Sequence, residues 1–382
     1  MIRTSLALLA LPAILSAAEA FTQTVLYRSG EGGYHTYRIP ALLTTKKGTL
    51  LAFCEGRKKA RSDTGNIDIM LRRSRDNGRT WSAAVTLVDH GPDTIGNPAP
   101  VQDLKTGTVW LLLTGNPGHT SEREIIETGA KGTRTVWIMS SRDDGATWSK
   151  PVEITRDVKP DNWTWYATGP VNGIQTRSGR LVIPCDHEVK GHRGFYSHVI
   201  CSDDHGKTWK LGGSASAMTD ESTVTELGDG TLMLNMRSNA KRFRRSVAVS
   251  KDGGITWSEP GFDETLIEPT CQASLIRYSG KRGKGRLLFS NPAAEKRIRM
   301  TVRVSEDEGK TWKYNKLVHE GPSAYSSLAA LKDGTIGLLY EKGGQQAYET
   351  ITFARFTLEW LTGPTPSDTG TPVMSRLYSV HE

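Results

Sequence analysis

One short pattern, S-x-D-x-G-x-T-W, occurs five times in this chain of 382 residues. Its intervals are 67, 61, 48 and 55 residues, and its copies begin at Ser74, Ser141, Ser202, Ser250 and Ser305. Asp and Ser in such a pattern can bond local backbone amides, Gly tolerates positive φ, and Trp packs beneath the turn. Half of the ten tryptophans occupy this one position. We therefore interpret each copy as a hairpin turn that serves folding and not catalysis.

Strand-like runs precede the five turns and fill the intervals between them. Examples are "IDIMLRRS" before the first copy and "GTVWLLLTG" and "GRLVIPC" between later ones. About four short strands per repeat, with little helical periodicity, predict an all-β, six-bladed β-propeller with five of these Asp-box turns. A sixth unit without a box follows the fifth copy. We expect the N-terminal run "QTVLYRS" to pair with it and so close the ring.

The two ends of the chain differ from its middle. Residues 1–20 have the form of a secretory signal, with Arg3, an apolar run from Leu6 to Leu15, and a small-residue cleavage site that ends at Ala20. The apolar run is too short to span a bilayer. We expect cleavage after Ala20, a propeller over residues 21–361 and a tail over 362–382. The expected product is a secreted or periplasmic monomer without a membrane span.

The net charge and the motifs limit the classes of partner that the chain is expected to bind, and the positions of the cysteines bear on whether disulfides form. A net charge of +8 suits an anionic substrate. The sequence has no glycine-rich phosphate loop and no basic stripe interleaved with aromatic residues, so nucleic acid is not expected. Export would permit disulfides, but Cys54 and Cys185 lie in apolar runs where buried thiols fit equally well. His187, Glu188 and His192 miss the H-E-x-x-H spacing by one residue, and no metal or cofactor is expected.

The stretch "YHTYRIPALL" contains a buried-charge problem. Arg38 lies within an apolar strand and has no acidic neighbour closer in sequence than Glu31. A guanidinium cannot give up its charge, so burying it without an anion is costly. The sequence therefore predicts that Arg38 meets an anion from elsewhere in the fold or from a ligand.

Three further segments carry chemically active side chains. They are "EGRKKARSDTGNID" (Glu55–Asp68), "DESTVTELGDGTLMLNMRS" (Asp220–Ser238), and the run from Arg303 through Tyr325 to Glu341. The inner strands of a propeller line a central funnel, where side chains distant in sequence converge. These segments are therefore expected to share one site with Arg38.

Taken in order, these motifs resemble the exo-α-sialidases (neuraminidases) of bacterial and animal type. The resemblance covers nearly the whole chain after residue 20. It rests on "YRIP", "SDTG", "ESTVTEL" followed by "NMRS", "VRVSEDEGKTW", "AYSSL" and "LLYE", together with the five boxes. The boxes alone would not be specific, because they also occur in propellers without glycosidase activity.

The resemblance implies a role for each matching residue. Arg38, Arg237 and Arg303 are similar to the arginine triad that binds the sialic acid carboxylate, and Arg57 is similar to a further arginine of the same pocket. Glu341 matches the carboxylate that orients the first arginine. The catalytic positions are implied to be Tyr325 as nucleophile, Glu221 as its base, and Asp63 as acid/base.

These residue types suit the chemistry of sialic acid, whose carboxylate is attached to the anomeric carbon. Three guanidiniums can bind that group through charge-assisted hydrogen bonds. A neutral phenol escapes the repulsion that an anionic nucleophile would meet, and it needs a base because its ordinary pKa is about 10. The expectation is a retaining hydrolase that removes terminal sialic acid from glycoproteins, glycolipids or oligosaccharides.

Several alternatives remain open at the level of sequence. A trans-sialidase, including the intramolecular type that forms an anhydro sugar, and a non-catalytic binding propeller are the two rival functions. Glu226 competes with Glu221, Asp68 competes with Asp63, and Arg297 and Arg299 lie close to Arg303. The cluster Trp163, Trp165 and Tyr166 suits a pocket wall and a surface loop equally.

Overall fold

The computed structural model describes residues 20–129, 134–192, 194–278 and 285–364. Most of the expected signal and tail, residues 1–19 and 365–382, lies outside these ranges. In the described part of the chain, no helix has both the length and the apolar character needed to cross a membrane.

The strands of the first half of the chain form three antiparallel groups, after an N-terminal strand β1 (Phe21–Arg28). The first group contains β2 (Thr36–Thr44), β3 (Leu50–Arg57), β4 (Ile67–Ser74) and β5 (Val85–Val88). The second contains β6 (Thr94–Gln102), β7 (Val109–Asn116), β8 (Thr135–Ser141) and β9 (Val152–Glu153), and one parallel pair, Ile67 with Thr94, joins it to the first. The third contains β10 (Trp163–Thr168), β11 (Ile174–Gln175), β12 (Leu181–Val189), β13 (Phe195–Ser202) and β14 (Lys210–Ser214).

The second half of the chain repeats this arrangement. The fourth group contains β15 (Thr219–Glu226), β16 (Leu232–Ser238), β17 (Arg244–Ser250) and β18 (Gly261–Ile267). The fifth contains β19 (Ser274–Tyr278), β20 (Arg286–Pro292), β21 (Ile298–Ser305) and the first part of β22 (Tyr314–Ala330). The sixth contains the second part of β22, β23 (Ile336–Lys342) and β24 (Thr350–Phe356). Three short helices, α1 (Glu122–Thr128), α2 (Thr155–Val158) and α3 (Leu358–Thr362), accompany the strands.

The N-terminal strand completes the last group. β1 pairs antiparallel with β24, from Phe21 opposite Phe356 to Arg28 opposite Thr350. This confirms the predicted pairing of "QTVLYRS" with the unit that lacks a box. The first and last groups are also neighbours, because the backbone N–H of Leu42 on β2 donates to Ser327 Oγ on β22 at 2.9 Å.

The five Asp-box turns have the hydrogen bonds that the sequence predicts. In the first, Asp76 Oδ1 accepts from the backbone N–H of Thr80 at 2.9 Å, and its Oδ2 accepts from the Thr80 hydroxyl at 2.6 Å. The N–H of Gly78, at a φ of 81°, donates to Ser74 Oγ at 2.9 Å. The same Ser and Asp contacts recur in the other four copies. The boxes are therefore turn-forming elements.

All five boxes lie at one end of their strands, and this fixes where a site can form. On β4 the box serine Ser74 pairs with Leu50, whereas the opposite end, Ile67, pairs with Arg57. On β21 the box serine Ser305 likewise pairs with Leu287, at the other end of the strand from Met300. We call these two ends the box end and the site end.

Apolar side chains fill the spaces between neighbouring groups, and the four cysteines belong to this interior. Cys54, Cys185, Cys201 and Cys271 are all buried free thiols. Burial raises the pKa of the Cys271 thiol to about 12, so it stays protonated at neutral pH. The sequence allowed either disulfides or buried thiols, and in the structure the four cysteines are buried thiols.

Candidate active site

A cavity of about 210 Å³ opens at the site end, and each of the six strand groups contributes side chains to it. Of the residues expected in the site, it contains Arg38, Arg57, Asp63, Glu221, Arg237 and Tyr325. Glu341 is fully buried directly behind Arg38. The strand pairing thus brings together side chains that are up to 303 residues apart in sequence.

Arg38 has its anion in the folded chain. Its Nε donates to Glu341 Oε1 at 3.0 Å, and its Nη1 lies 3.5 Å from Asp63 Oδ1. The Glu341 carboxylate also accepts from the backbone N–H groups of Ile39 and Tyr325, each at 3.0 Å. With Arg38 Nη2, which donates to Glu341 Oε2 at 3.4 Å, four donors hold this buried carboxylate, and it fixes the Arg38 guanidinium at the wall of the cavity.

Arg237 is held by a second carboxylate pair on the neighbouring strand. Asp220 accepts from Nε at 2.7 Å and from Nη2 at 2.5 Å, and Glu221 Oε2 accepts from Nη1 at 2.7 Å. The Nη1 atom also lies 3.4 Å from the Tyr325 hydroxyl. The bidentate contact with Asp220 orients the guanidinium plane. The sequence did not identify Asp220 as a site residue.

Arg297 lines the cavity beside Arg38 and Arg237, whereas the structure does not bring Arg303, the residue expected there, into its wall. Arg297 lies in the cavity wall, with its Cζ 5.5 Å from the centre of the Tyr325 ring. Arg303 instead donates to Asn291 Oδ1 at 3.0 Å and is not part of the wall. The reason is its position on β21, since Arg303 lies two residues before the box serine Ser305, at the box end.

Strand alternation could not distinguish the arginines at positions 297, 299 and 303, which all have the same parity, and a bulge at the start of β21 also disturbs that alternation. Arg299 has a φ of 64°, and the pairing with β22 shifts between Ile298 and Met300 and again between Met300 and Thr301. Each shift breaks the two-residue alternation of side chains. Arg297 precedes the bulge and donates to the Tyr348 hydroxyl at 2.9 Å and to the Thr270 carbonyl at 3.1 Å. Among the described residues, no carboxylate lies within ion-pair distance of it.

Tyr325 and Glu221 form a hydrogen-bonded pair at the floor of the cavity. The Tyr325 hydroxyl donates to Glu221 Oε1, and both groups are largely shielded from solvent. Burial, followed by the charge of Glu221, raises the pKa of the Tyr325 phenol well above its ordinary value. Burial also raises the pKa of the Glu221 carboxyl against the opposing effect of Arg237. The pair is therefore a neutral phenol next to a carboxylate of increased basicity.

Asp63 lies at the mouth of the cavity, where its side chain is 63% exposed. Its Oδ1 contacts Arg57 Nη2 at 2.8 Å, and Arg57 is itself held by Glu55 through bonds of 2.6 and 3.0 Å. Partial burial acts to raise the pKa of Asp63, but the charges of Arg57 and Arg38 outweigh it and keep the pKa below its ordinary value. A ligand that engaged Arg38 would weaken this effect.

The competing carboxylates lie elsewhere. Glu226 is at the box end of β15, where its Oε2 accepts from the backbone N–H of Arg177 at 2.9 Å. There it lines a separate cavity of about 350 Å³. Asp68 is fully buried and accepts from the Tyr34 hydroxyl at 2.6 Å, with Lys58 Nζ at 3.0 Å. Neither group is in the wall of the candidate site.

The part of the wall that the second and third strand groups supply contains residues that the sequence did not identify. The Arg134 guanidinium is buried there. Its Nη1 donates to Asn116 Oδ1 at 2.6 Å and its Nη2 donates to Asn97 Oδ1 at 2.8 Å. Its Cζ lies 4.1 Å from the centre of the Trp165 ring. Further members of this wall are Glu122, Asp186 and Phe195. The sequence contained one signal for Arg134, because Arg134 and Arg297 each lie directly before a strand that ends in a box.

The aromatic cluster and the histidines divide between the wall of the cavity and the packing behind it. Trp165 lines the cavity, but Trp163 stacks on His187 with ring centres 3.3 Å apart. His187 Nδ1 lies 3.1 Å from His198 Nδ1, and burial lowers the pKa of His187 to about 3. His187 is thus engaged in packing behind the cavity.

Comparisons of this chain with a family model and with individual proteins all indicate one family. A family model described as a BNR repeat-like domain matches residues 48–338. An exo-alpha-sialidase of Aspergillus fumigatus is 32% identical over 366 residues, which cover 87% of this chain and 86% of that one. The chain belongs to the sialidase family. A sialidase of Micromonospora viridifaciens is 36% identical over 362 residues, and one of Bacteroides fragilis is 35% identical over 334 residues.

The relatives differ from this sialidase-family chain in length. It covers only 55% of the Micromonospora protein and 61% of the Bacteroides protein. Among solved structures, the Hadza microbial sialidase Hz136 matches with a TM-score of 0.79 and 35% identity, covering 87% of this chain and 68% of that one. The intramolecular trans-sialidase of Ruminococcus gnavus matches with a TM-score of 0.76 at 20% identity, covering 89% of this chain and 98% of that one. These matches support an all-β, propeller-type fold.

Proposed function

We propose that this protein is an exo-α-sialidase, which hydrolyses terminal α-linked sialic acids of glycoproteins, glycolipids or oligosaccharides with retention of configuration. One observation carries the proposal. A phenol hydrogen-bonded to a buried carboxylate, Tyr325 with Glu221, lies at the floor of a cavity that five guanidiniums also line. A sugar whose carboxylate is attached to its anomeric carbon matches both features at once.

Three of these guanidiniums, those of Arg38, Arg237 and Arg297, are proposed to bind the sugar carboxylate. Arg38 and Arg237 are held in place by Glu341 and Asp220, so little side-chain entropy remains to be lost on binding. Arg297 has only neutral hydrogen-bond acceptors around it in the described structure. No carboxylate of the described residues pairs with Arg297, so a substrate carboxylate would supply the ion pair that Arg297 lacks there. Arg57 is proposed to line the same pocket.

Tyr325 is the proposed nucleophile. Its Oη attacks the anomeric carbon while its proton passes to Glu221, and the bond to the leaving oxygen breaks. Water then attacks the tyrosyl-bound sugar, the bond to Tyr325 breaks, and the proton returns from Glu221 to the phenol. A neutral attacking phenol avoids the repulsion that the substrate carboxylate would exert on a carboxylate nucleophile.

Asp63 is the proposed acid for the first step and base for the second. In the unliganded site it is ionised, because Arg57 and Arg38 hold its pKa low. A bound sugar carboxylate would neutralise Arg38, and the sugar ring would shield Asp63 from water. Both effects raise the pKa of a carboxyl group and favour the protonated form that acid catalysis needs.

This assignment predicts that the Asp63→Ala variant depends strongly on the leaving group. We expect kcat/KM for sialyllactose to fall by about 10²–10⁴-fold, since an alkoxide leaves poorly without a proton. With a methylumbelliferyl sialoside, whose phenolate leaves readily, the loss should be much smaller. Ser62→Ala, in the same loop, is the matched control. Equal losses with both substrates would contradict the role of Asp63.

The wider organisation is proposed on the same basis. We propose that the six strand groups are the blades of one closed propeller over residues 21–361, with residues 362–382 as a tail. We also propose that residues 1–20 are a cleaved signal and that the protein acts as a secreted or periplasmic monomer. The proposed reaction uses side-chain groups alone.

The first-formed product tests the proposed function. We expect the wild-type protein to release free sialic acid from sialyllactose, with the α-anomer appearing first in proton NMR spectra and converting slowly to the β-anomer. Retention follows from two successive displacements at one carbon. A β-anomer formed first would exclude the tyrosyl route. An anhydro sugar as the main product would instead identify an intramolecular trans-sialidase.

A further inference from the structure

Asp186 is a buried carboxyl group to which the reaction described above assigns no role. It lies on β12 between Ala167 of β10 and Ser197 of β13, and it is 2% exposed. It nevertheless lines the candidate site. Its Oδ2 has no hydrogen-bond partner among the described residues. A polar atom that is buried without a partner is costly, so an unpartnered carboxyl oxygen on a residue that lines a ligand cavity points to a partner on the ligand.

The surroundings of Asp186 favour its neutral form. Asp220 and Glu221 face it from β15, with Arg237 on β16 and Arg134 before β8. Burial, followed by the charges of Asp220 and Glu221, raises the pKa of Asp186 well above its ordinary value despite the two arginines. The Arg237 guanidinium is already bonded to Asp220 and Glu221. A protonated Asp186 carboxyl can donate a hydrogen bond, which an ionised one cannot.

The orientation of the sugar follows from the proposed function, on which this inference rests. Its carboxylate is placed against Arg38, Arg237 and Arg297, and its anomeric carbon against Tyr325. The C5 substituent and the C6 side chain are then directed away from Tyr325, since C5 lies across the pyranose ring from the anomeric carbon, and towards the part of the wall that the second and third strand groups supply. That wall contains Asp186. The acyl oxygen at C5 and the hydroxyls of the side chain are hydrogen-bond acceptors.

We propose that Asp186 is a specificity-determining residue, which donates a hydrogen bond from its neutral carboxyl group to an oxygen in the C5 or C6 substituents of the sialic acid. Selectivity follows because a site built around a polar contact discriminates against ligands that lack it. A substrate without the matching oxygen would leave the carboxyl group buried and unpaired.

Two substitutions separate this role from a structural one. Asp186→Asn keeps the shape and supplies an N–H donor that does not ionise, whereas Asp186→Leu removes hydrogen bonding at similar volume. We expect kcat/KM for a methylumbelliferyl N-acetylneuraminide to stay within several-fold in the Asn variant and to fall by about 10- to 100-fold in the Leu variant. Glu188→Gln, which replaces a buried carboxyl outside the cavity on the same strand, is the matched control.

Substrate analogues identify the contacted group. The wild-type protein should lose about 10- to 100-fold in kcat/KM either when the C5 acylamino group is replaced by hydroxyl or when the side chain is shortened to C7. The Leu variant should lose that discrimination. Wild-type KM should also rise with pH as Asp186 ionises, and the KM of the Asn variant should not rise in this way.

Three results would overturn the proposal. They are unchanged discrimination in the Leu variant, a loss in the Asn variant as large as in the Leu variant, and the same rise of KM with pH in both wild type and Asn variant. Thermal unfolding of each variant reports folding separately. If the wild-type protein cleaves no sialoside, the proposed function fails instead. Calorimetric titration of the variants with the 2,3-didehydro analogue of sialic acid then still tests the Asp186 contact.

Discussion

Replacing Tyr325 with phenylalanine is expected to lower kcat for a methylumbelliferyl sialoside by at least about 10³-fold, as removal of other enzyme nucleophiles does. The variant loses only the hydroxyl that donates to Glu221. The ring should remain packed against Ile39, Cys271, Ala324 and Ala347, and within 4.9 Å of the Arg38 guanidinium. Because the cavity and its arginines persist, the didehydro sugar analogue should bind with an affinity within a few-fold of wild type.

This combination of lost turnover and retained binding distinguishes a nucleophile from a residue that shapes the pocket. Tyr340→Phe is a suitable control, since it removes a buried phenol on β23 that lies outside the cavity. It should leave kcat unchanged. If Tyr325→Phe retained wild-type turnover, the tyrosyl mechanism would be excluded, and Glu221 would need a role other than activating the phenol.

Replacing Arg297 with glutamine is expected to lower kcat/KM by about 10²–10³-fold, mainly through a higher KM. Arg297 has neutral acceptors and no carboxylate partner among the described residues, so its charge is available to a ligand. Removing a charged donor from a shielded site costs much more than removing one from an exposed surface. Steady-state kinetics and titration with the didehydro analogue both measure this loss.

Arg303→Gln is the decisive comparison for Arg297. Arg303 lies at the box end of β21 and donates to Asn291, away from the cavity. We expect this variant to keep the KM and kcat of wild type, with any effect confined to thermal stability. The opposite pattern, with binding lost in Arg303→Gln and retained in Arg297→Gln, would restore the original assignment and refute the geometric one.

The five turns were predictable because their causes are local and repeated, and the pairing of β1 with β24 was predictable because the last unit needs a strand to cover its free edge. Each Asp box forms its hydrogen bonds within eight residues, so its structure can be read from one short window. The long alternating runs likewise identify strands without knowledge of their partners. The types of residue in the site followed from the resemblance to sialidases.

The bulge at Arg299 and the wall around Asp186 were not predictable in the same way. The pairing of β21 with β22 shifts twice around Arg299, and the sequence before Ser305 contains three arginines without a marker for those shifts. The importance of Asp186 depends on Asp220, Glu221 and Arg134, which come from other strand groups.

The sequence by itself determined the turns, the strands and the chemical repertoire of this protein, since those depend on contacts within a few residues. Only the tertiary structure decided which guanidiniums and carboxyl groups share one cavity. That choice depends on strand register and on burial by distant segments, and neither is encoded in any single stretch of the chain.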